Sequence, residues 1–398
     1  MEDLEGKRII VGITGSIAAY KSAELVRLLI RRGAELRVVM TKHATHFISP
    51  LTFETLSGKS VITDMFSQPG ITLDHVSLGQ KSDLIAIAPA TANTVGKIAH
   101  GIGDDFLSTL ILAATCKVLV CPAMDKEMFQ NPIVQANLES LKEQGIVVME
   151  PDEGMLASGS VGTGRLPDPS TIAEEITCIL SDRDLKGLKA LITAGPTIEY
   201  IDPVRILTNR STGKMGYALA RAAQRRGAEV TLVSGPTYLE QPRGVTTIHV
   251  QTAEEMREAV VANFKDKDVV IKAAAVSDYR PRRKAAHKEK KPNVTTSMEL
   301  DPTPDILAEL GRGKGATLLV GFAAETTEHV ARAVEKIKKK NLDLIVLNDV
   351  SKDDRGFAVN SNEVRILDRD GNEQQIPLMS KEAVADKILD RIKDLRGV

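Results

Sequence analysis

Two distant stretches of the chain, RRGAELRVV (31–39) and RRGAEVTLV (225–233), are close copies of one another. Each ends the same sequence of events. KRIIVGIT (7–14) is a short apolar run, followed by a glycine turn and a helical stripe of Ala18, Leu25, Leu28 and Leu29; LKALITAGPT (188–197) leads in the same way into GKMGYALARAAQ (213–224). The glycine after the paired arginines stops each helix, and the apolar run beyond it is a second strand. Strand, helix and strand in that order, with strands apolar on both faces, form a parallel pair with a covering crossover. Each half of the chain therefore opens a doubly wound sheet. SDLIAIAPA (82–90) and KVLVCPA (117–123) extend the first sheet, and KDVVIKAAAV (267–276), ATLLVGFAA (316–324) and LDLIVLND (342–349) extend the second. The expected fold class is α/β, with two Rossmann-like doubly wound, mostly parallel-sheet domains.

The length of 398 residues fits two such domains better than one. The polar stretch LSDRDLKG (180–187) lies between a helical run and a strand, which places the expected boundary near 185, with domains 1–185 and 186–398. NEVRILDRDGNEQQIPL (362–378) alternates around Asp370-Gly371 and reads as a hairpin, and KEAVADKILDRIKDL (381–395) reads as a closing amphipathic helix. A 42% hydrophobic content without a long uncharged apolar run, and an acidic start that runs straight into a strand, predict a cytoplasmic protein with no membrane segment. A net charge of −1 gives no reason to expect nucleic acid. Cys116, Cys121 and Cys178 show no CxxC spacing and the seven histidines no HExxH, so disulfides and zinc are not expected. RRKAAHKEKK (282–291) and EKIKKK (335–340) are strongly basic; such runs are solvated faces or a grip on a polyphosphate.

In doubly wound sheets, ligands bind beyond the carboxyl ends of the strands. There the first half carries GITGSIAAYK, then APATANT, then PAMDKEMF. DEGMLASGSVGTGRLPD (152–168) has the glycines of a phosphate loop, a tether or a flap, but no lysine follows its last glycine as a Walker loop requires. His75, flanked by apolar residues, reads either as a half-buried structural imidazole or as a group that handles a substrate carboxylate.

GITGSIAAYK, the His75 segment, APATANT, PAM with a second Met four residues on, and the glycine-rich stretch resemble the flavin-dependent cysteine decarboxylases. DPVRILTNRSTGKMG, AAAVSDYRP, HKEKK, PDIL, GFAAET and KKKNLDLIVLND resemble phosphopantothenate–cysteine ligase. Together, in one order along nearly the whole chain, they resemble the bifunctional enzymes of coenzyme A biosynthesis.

For the first half the resemblance implies FMN, with Gly15, Ser16 and Thr41 at its phosphate and Pro89, Thr91 and Asn93 along its ribityl chain and ring. It implies oxidation of the cysteine thiol of 4′-phosphopantothenoylcysteine, loss of the neighbouring carboxylate, and return of hydride and a proton to give 4′-phosphopantetheine. DEGMLASGSVGTGRLPD then becomes a substrate flap, with Arg165 on the substrate. His75, Asp125 and Ser158 take the catalytic positions. The family usually has cysteine where Ser158 stands, and asparagine where Asp125 stands. A thiol with a pKa near ~8.5 is a usable acid, whereas an unassisted hydroxyl is not. An ionised Asp125 repels a substrate carboxylate. Continued decarboxylation is the leading expectation, and an FMN-binding assembly domain with weakened turnover is the alternative.

For the second half the resemblance implies CTP with Mg²⁺, an acyl-cytidylate of 4′-phosphopantothenate, and its capture by L-cysteine. The implied nucleotide set is Lys272, Ala273, Ala274, Asp278, Lys288, Pro304, Asp305, Ile306, Leu307, Phe322, Lys336 and Lys340, with Asp278 also at the metal. Lys288 and Asn209 are the implied catalytic residues, and Arg205 and Asn209 hold the activated intermediate and the substrate phosphate. A homo-oligomer is implied as well, with trimeric decarboxylase and dimeric ligase domains.

Overall fold

In the computed structural model, which describes residues 3–65, 74–288, 297–325, 329–349 and 359–397, both apolar runs that open the halves are central strands. Contacts divide the chain into units Met1–Ser181 and Asp182–Val398.

The first unit is built on β1 (Arg8–Ile13), which pairs in parallel with β2 (Glu35–Met40) and β3 (Leu84–Ala90). The sheet continues through β4 (Lys117–Pro122) to β5 (Val147–Val148), in the order 2-1-3-4-5 and parallel throughout. Every residue of β3 is buried, because helices cover both faces. Leu25 and Leu29 of α1 (Lys21–Arg31), Phe53 of α2 (Pro50–Ser57) and Ile172 and Ile176 of α8 (Pro169–Leu180) pack on one face. The other face is covered from α3 (Asp74–Lys81), α4 (Ala92–Ala99), α5 (Phe106–Ala113), α6 (Lys126–Phe129) and α7 (Pro132–Glu143), through Leu78, Val95, Leu110, Phe129 and Leu141.

The glycine-rich stretch is an antiparallel ribbon of β6 (Asp152–Met155) and β7 (Val161–Arg165). It is tied to the turn after β4, where the Met124 N–H donates to the Gly164 carbonyl at 3.0 Å. Only glycine fits at 164, since a Cβ there would lie 2.2 Å from the Met124 carbonyl oxygen.

The second unit has an eight-stranded sheet. β8 (Lys189–Ala194), β11 (Glu229–Ser234), β12 (Thr246–His249), β13 (Val269–Lys272), β16 (Leu318–Glu325) and β17 (Leu344–Asp349) run parallel in the order 12-11-8-13-16-17. β18 (Ser361–Asp368) and β19 (Glu373–Ser380) are the expected hairpin, added antiparallel at the β17 edge. Small ribbons, β9 (Ile198–Tyr200) with β10 (Ile206–Thr208) and β14 (Tyr279–Pro281) with β15 (Leu300–Pro302), stand beside it.

One face is covered by α9 (Lys214–Arg225) and the closing helix α13 (Lys381–Arg396), the other by α10 (Ala253–Ala262), α11 (Ile306–Arg312) and α12 (His329–Lys340). α9 lies close on β8: a Cβ at Gly216 would come within 2.5 Å of the Ala194 Cβ. Asp184, in the polar stretch between the domains, belongs to the second unit, where it bonds Arg226 at 2.7 Å and Lys393 at 3.0 Å.

The cysteines are free thiols. Among the described residues there is no cluster of His, Cys, Asp and Glu able to hold a metal, and no helix long and apolar enough to cross a membrane.

Candidate active sites

In the first unit the turns after β1, β2 and β3 meet at one edge. Thr14 organises them: its hydroxyl donates to the Pro89 carbonyl at 2.7 Å and accepts from the Thr91 N–H at 3.0 Å. Gly15, Thr41, Thr91 and Asn93 line a cavity of about 810 Å³, together with Lys42 and Phe106. A volume of that order is typical of a cofactor site, and its hydroxyls, amide and cation are the donors that a phosphorylated polyol chain needs. These residues fit FMN.

Two predicted cofactor residues are placed differently. Ser16 caps the short 3-10 turn Ile17–Tyr20 and faces an adjoining cavity of about 550 Å³. Pro89 is buried inside the fully covered β3 and reaches the site only through its carbonyl. His75 is half-buried on α3, with its ring edge-on to Phe106 at 6.3 Å, and its buried Nδ1 has no partner among the described residues. Because Phe106 lines the 810 Å³ cavity, His75 stands one ring behind it.

The second cavity brings together the turn after β4 and the ribbon: Lys21, Asp125, Ser158 and Arg165 line it. The Ser158 hydroxyl donates to Asp125 Oδ2 at 2.5 Å and shares a 2.9 Å hydrogen bond with Ser160. The two departures from the family pattern are thus bonded to each other. Hydrogen bonds involving Glu127 and then Ser158 hold the Asp125 carboxyl below its ordinary value, so it is an anion at neutral pH. Burial and the neighbouring Arg165 cation lower the pKa of Lys21, whose ammonium donates to the Leu166 carbonyl at 2.9 Å. Two cations therefore face this cavity beside one carboxylate. Lys21 closes the motif GITGSIAAYK, and its position at the first turn of α1 beneath the ribbon was the missing signal.

In the second unit Asn209, Lys272, Asp278, Lys336 and Lys340 line one cavity of about 650 Å³ with Arg210. β13 delivers Lys272 at its carboxyl end, and the turn beyond it delivers Asp278. Asn209 is fixed there, with its Nδ2 donating to the Ala275 and Val276 carbonyls at 3.1 and 3.2 Å. Burial, then the Lys340 charge, lowers Lys272 to about 8. Lys340 is held at 2.8 Å by Asp305, the N-cap of α11. Ala274, Leu307 and Phe322 supply the apolar wall. Of the expected nucleotide set, Ala273 faces a smaller neighbouring pocket, Ile306 is buried in the core, and Pro304 and Asp305 stand just outside the lining.

Lys288 is exposed at the end of a described segment, and the rest of its motif, 289–291, lies outside the described residues, as does Thr326. Arg205 does not line the cavity. Its guanidinium bonds Asp202 through Nε at 2.8 Å and Nη2 at 2.5 Å, which holds the Asp202 carboxyl at about 2. Arg210, which does line it, was hidden by the adjacent Asn209.

The family model described as Flavoprotein matches residues 1–181, and that of the DNA/pantothenate metabolism flavoprotein C-terminal domain matches 185–395. The chain is 46% identical over 400 residues to the coenzyme A biosynthesis bifunctional protein CoaBC of Bacillus subtilis (strain 168), covering 98% of both chains. It is 43% identical over 397 residues to the protein of that name from Escherichia coli (strain K12), covering 98% of this chain and 97% of that one. The crystal structure of the C-terminal domain of a CoaBC protein is 45% identical over 54% of this chain and 99% of its own, with a TM-score of 0.47.

Proposed function

The chain belongs to the family of coenzyme A biosynthesis bifunctional proteins, and from that premise we propose how its two halves divide the work. It is a bifunctional enzyme of coenzyme A biosynthesis, a flavoprotein decarboxylase and a ligase on one chain.

The ligase step is assigned to residues 186–398, with CTP as the activating nucleotide. The observation that carries this is the single cavity in which three lysines, Asn209 and Asp278 converge. Lys272, Lys336 and Lys340 neutralise the triphosphate and the departing pyrophosphate, and Lys288 enters from its loop as a further movable charge. Asp278 holds Mg²⁺ together with nucleotide phosphates, which is the usual way this ion is bound without a protein cage. Asn209 is kept in place by two carbonyls, leaving its Oδ1 directed to the acyl-cytidylate. Arg210, which lines the cavity, takes the 4′-phosphopantothenate phosphate in place of Arg205, whose guanidinium is bonded to Asp202. L-cysteine then displaces CMP.

Decarboxylation is assigned to residues 1–185, with FMN held by Gly15, Thr41, Thr91 and Asn93. Bound FMN supplies the two-electron acceptor that lets the substrate carboxylate leave. Lys21 and Arg165 attract the substrate, which carries both a phosphate and a carboxylate, into the cavity under the ribbon. Ser158, hydrogen-bonded between Asp125 and Ser160, delivers the proton that completes 4′-phosphopantetheine. His75, edge-on to Phe106, braces the wall of the FMN cavity from behind. We assign the enzyme to the cytoplasm as a homo-oligomer, with trimeric first domains and dimeric second domains; mass photometry of the full chain checks that stoichiometry.

The deciding experiment incubates the purified chain with 4′-phosphopantothenate, L-cysteine, CTP and Mg²⁺ and follows products by mass spectrometry. Accumulation of 4′-phosphopantetheine with carbon dioxide release is expected. A reaction halting at the cysteine adduct removes the decarboxylase assignment, and no adduct removes the ligase assignment.

A further inference from the structure

Beside the nucleotide cavity, and sharing Ala274, Ala275, Phe322 and Ala323 with it, is a pocket of about 130 Å³ whose polar residues have been given no role above. Apart from Ser211, whose hydroxyl accepts from the Gly213 N–H at 3.3 Å, its polar lining is of two opposite kinds. Lys214, the first residue of α9, and Lys381, the first residue of α13, bring two ammonium groups to it. α9 has no side-chain cap, so its first-turn amides add partial positive charge on the same side. Lys381 is only 4% exposed, and burial followed by the Lys214 charge lowers its pKa to about 8, while the Lys214 ammonium donates to Asn360 Oδ1 at 2.8 Å; an anion set beside the two cations offsets their mutual repulsion.

Facing them are two carboxamides. Asn362, 1% exposed on β18, and Asn348 at the end of β17 both have a buried Oδ1 without a hydrogen-bond partner among the described residues. A buried acceptor left unpaired costs about 1–3 kcal/mol, and two of them in one pocket call for a ligand that brings N–H or O–H donors. A fully ionised phosphate answers the lysines but brings no donor to the two Oδ1 atoms. A zwitterion answers both. The volume agrees: about 150 Å³ suffices for benzene, so this pocket excludes a nucleoside and suits a small α-amino acid.

We propose that this pocket is the amine-substrate subsite of the ligase, in which Lys214 and Lys381 take the α-carboxylate of L-cysteine and Asn348 and Asn362 take its amino group. The assignment rests on the ligase reading above and deepens it. The shared wall of Ala274, Ala275 and Phe322 places the amine next to the cavity assigned to the activated carboxyl, and the pocket imposes selection for an α-carboxylate that a simple amine lacks.

The test uses the full chain and separates the two half-reactions. Pyrophosphate release from 4′-phosphopantothenate and CTP without any amine reports activation; amide formation against L-cysteine concentration reports the second step. Asn362→Leu and Lys214→Met are expected to raise KM for cysteine at least tenfold while pyrophosphate release stays within twofold. Lys381→Met should in addition narrow the preference for cysteine over cysteamine by tenfold or more, and Lys381→Arg should restore it. Lys214 is the partly exposed partner, so its variant stays informative if a core substitution fails to fold. An unchanged KM for cysteine overturns the proposal, as does a loss of pyrophosphate release in step with amide formation, which marks a phosphate subsite instead. If the unaltered chain releases no pyrophosphate, the ligase reading itself falls and this assignment falls with it.

Discussion

Gly164→Ala is the smallest change that reaches the attachment of the ribbon. The new Cβ would lie 2.2 Å from the Met124 carbonyl oxygen and 3.3 Å from its carbon, whereas an ordinary carbon–oxygen contact is about 3.3 Å or more. About 1 Å must therefore be found by moving backbone, since neither partner is a flexible side chain. The backbone at 164 also sits at φ of 151°, which disfavours a side chain by about 1–3 kcal/mol. The ribbon is expected to swing off the β4 turn and lengthen the 3.0 Å bond from Met124. Ser158 and Arg165 travel with it, and misplacing a reacting constellation by ~1 Å costs about a hundredfold in rate. Carbon dioxide release from 4′-phosphopantothenoylcysteine should fall by about that factor, while flavin absorbance per chain and amide formation are retained. Calorimetry should show the first unit melting about 2–12 °C lower, from a loss of about 1–3 kcal/mol at about 2–4 °C per kcal/mol. Decarboxylation within about threefold of the unaltered chain would falsify the idea that this contact positions the flap.

Ser158→Cys restores a thiol of pKa near ~8.5, and single-turnover formation of 4′-phosphopantetheine should quicken at least ~tenfold with carbon dioxide release unchanged; no gain would show that Ser158 already delivers its proton efficiently. Asp184, held at about 2 by its bond from Arg226, ionises more easily folded than unfolded, so its contribution is complete above about pH 4 and vanishes as pH falls through about 2. Asp184→Asn should thus lower the unfolding free energy by about 2 kcal/mol at pH 6, with denaturation curves converging with those of the parent near pH 2. Lys272, at about 8 when free, is half neutral at pH 8 and must recapture a proton against a triphosphate. Calorimetric titration with CTP in buffers of different ionisation enthalpy should show proton uptake at pH 8 that disappears in Lys272→Met; equal uptake in the two proteins would assign it elsewhere.

The crossover units were legible because their strands are apolar on both faces and their helices end at glycine, as at Gly33 and Gly227, where φ is 89° and 95°. The ribbon was not legible as paired strands, since Gly154, Gly159, Gly162 and Gly164 carry no β signal and its pairing is imposed by the β4 turn. The cavity that gathers Asn209, Lys272 and Asp278 lies where motifs at the carboxyl ends of strands pointed, yet Arg205 turned to Asp202 because a fully buried carboxylate needs a cation. Lys214, Lys381, Asn348 and Asn362 escaped notice for a topological reason: they meet only through the antiparallel pairing of β17 with β18 and the return of the last helix. One local signal was present. In SNEVRIL the inward set is Asn362, Val364 and Ile366, and an asparagine at a core-facing position of a strand demands a partner.

The terminal hairpin makes the second sheet asymmetric in what its two ends contribute. Crossover strands supply the wall of the cavity proposed for the nucleotide, whereas the final two strands, joined by a simple reversal of direction, bring up Asn362 and launch the helix that begins at Lys381. Preference among amines can consequently drift through changes in the last forty or so residues, a segment whose folding needs no new crossover, while the machinery of acyl activation is left untouched.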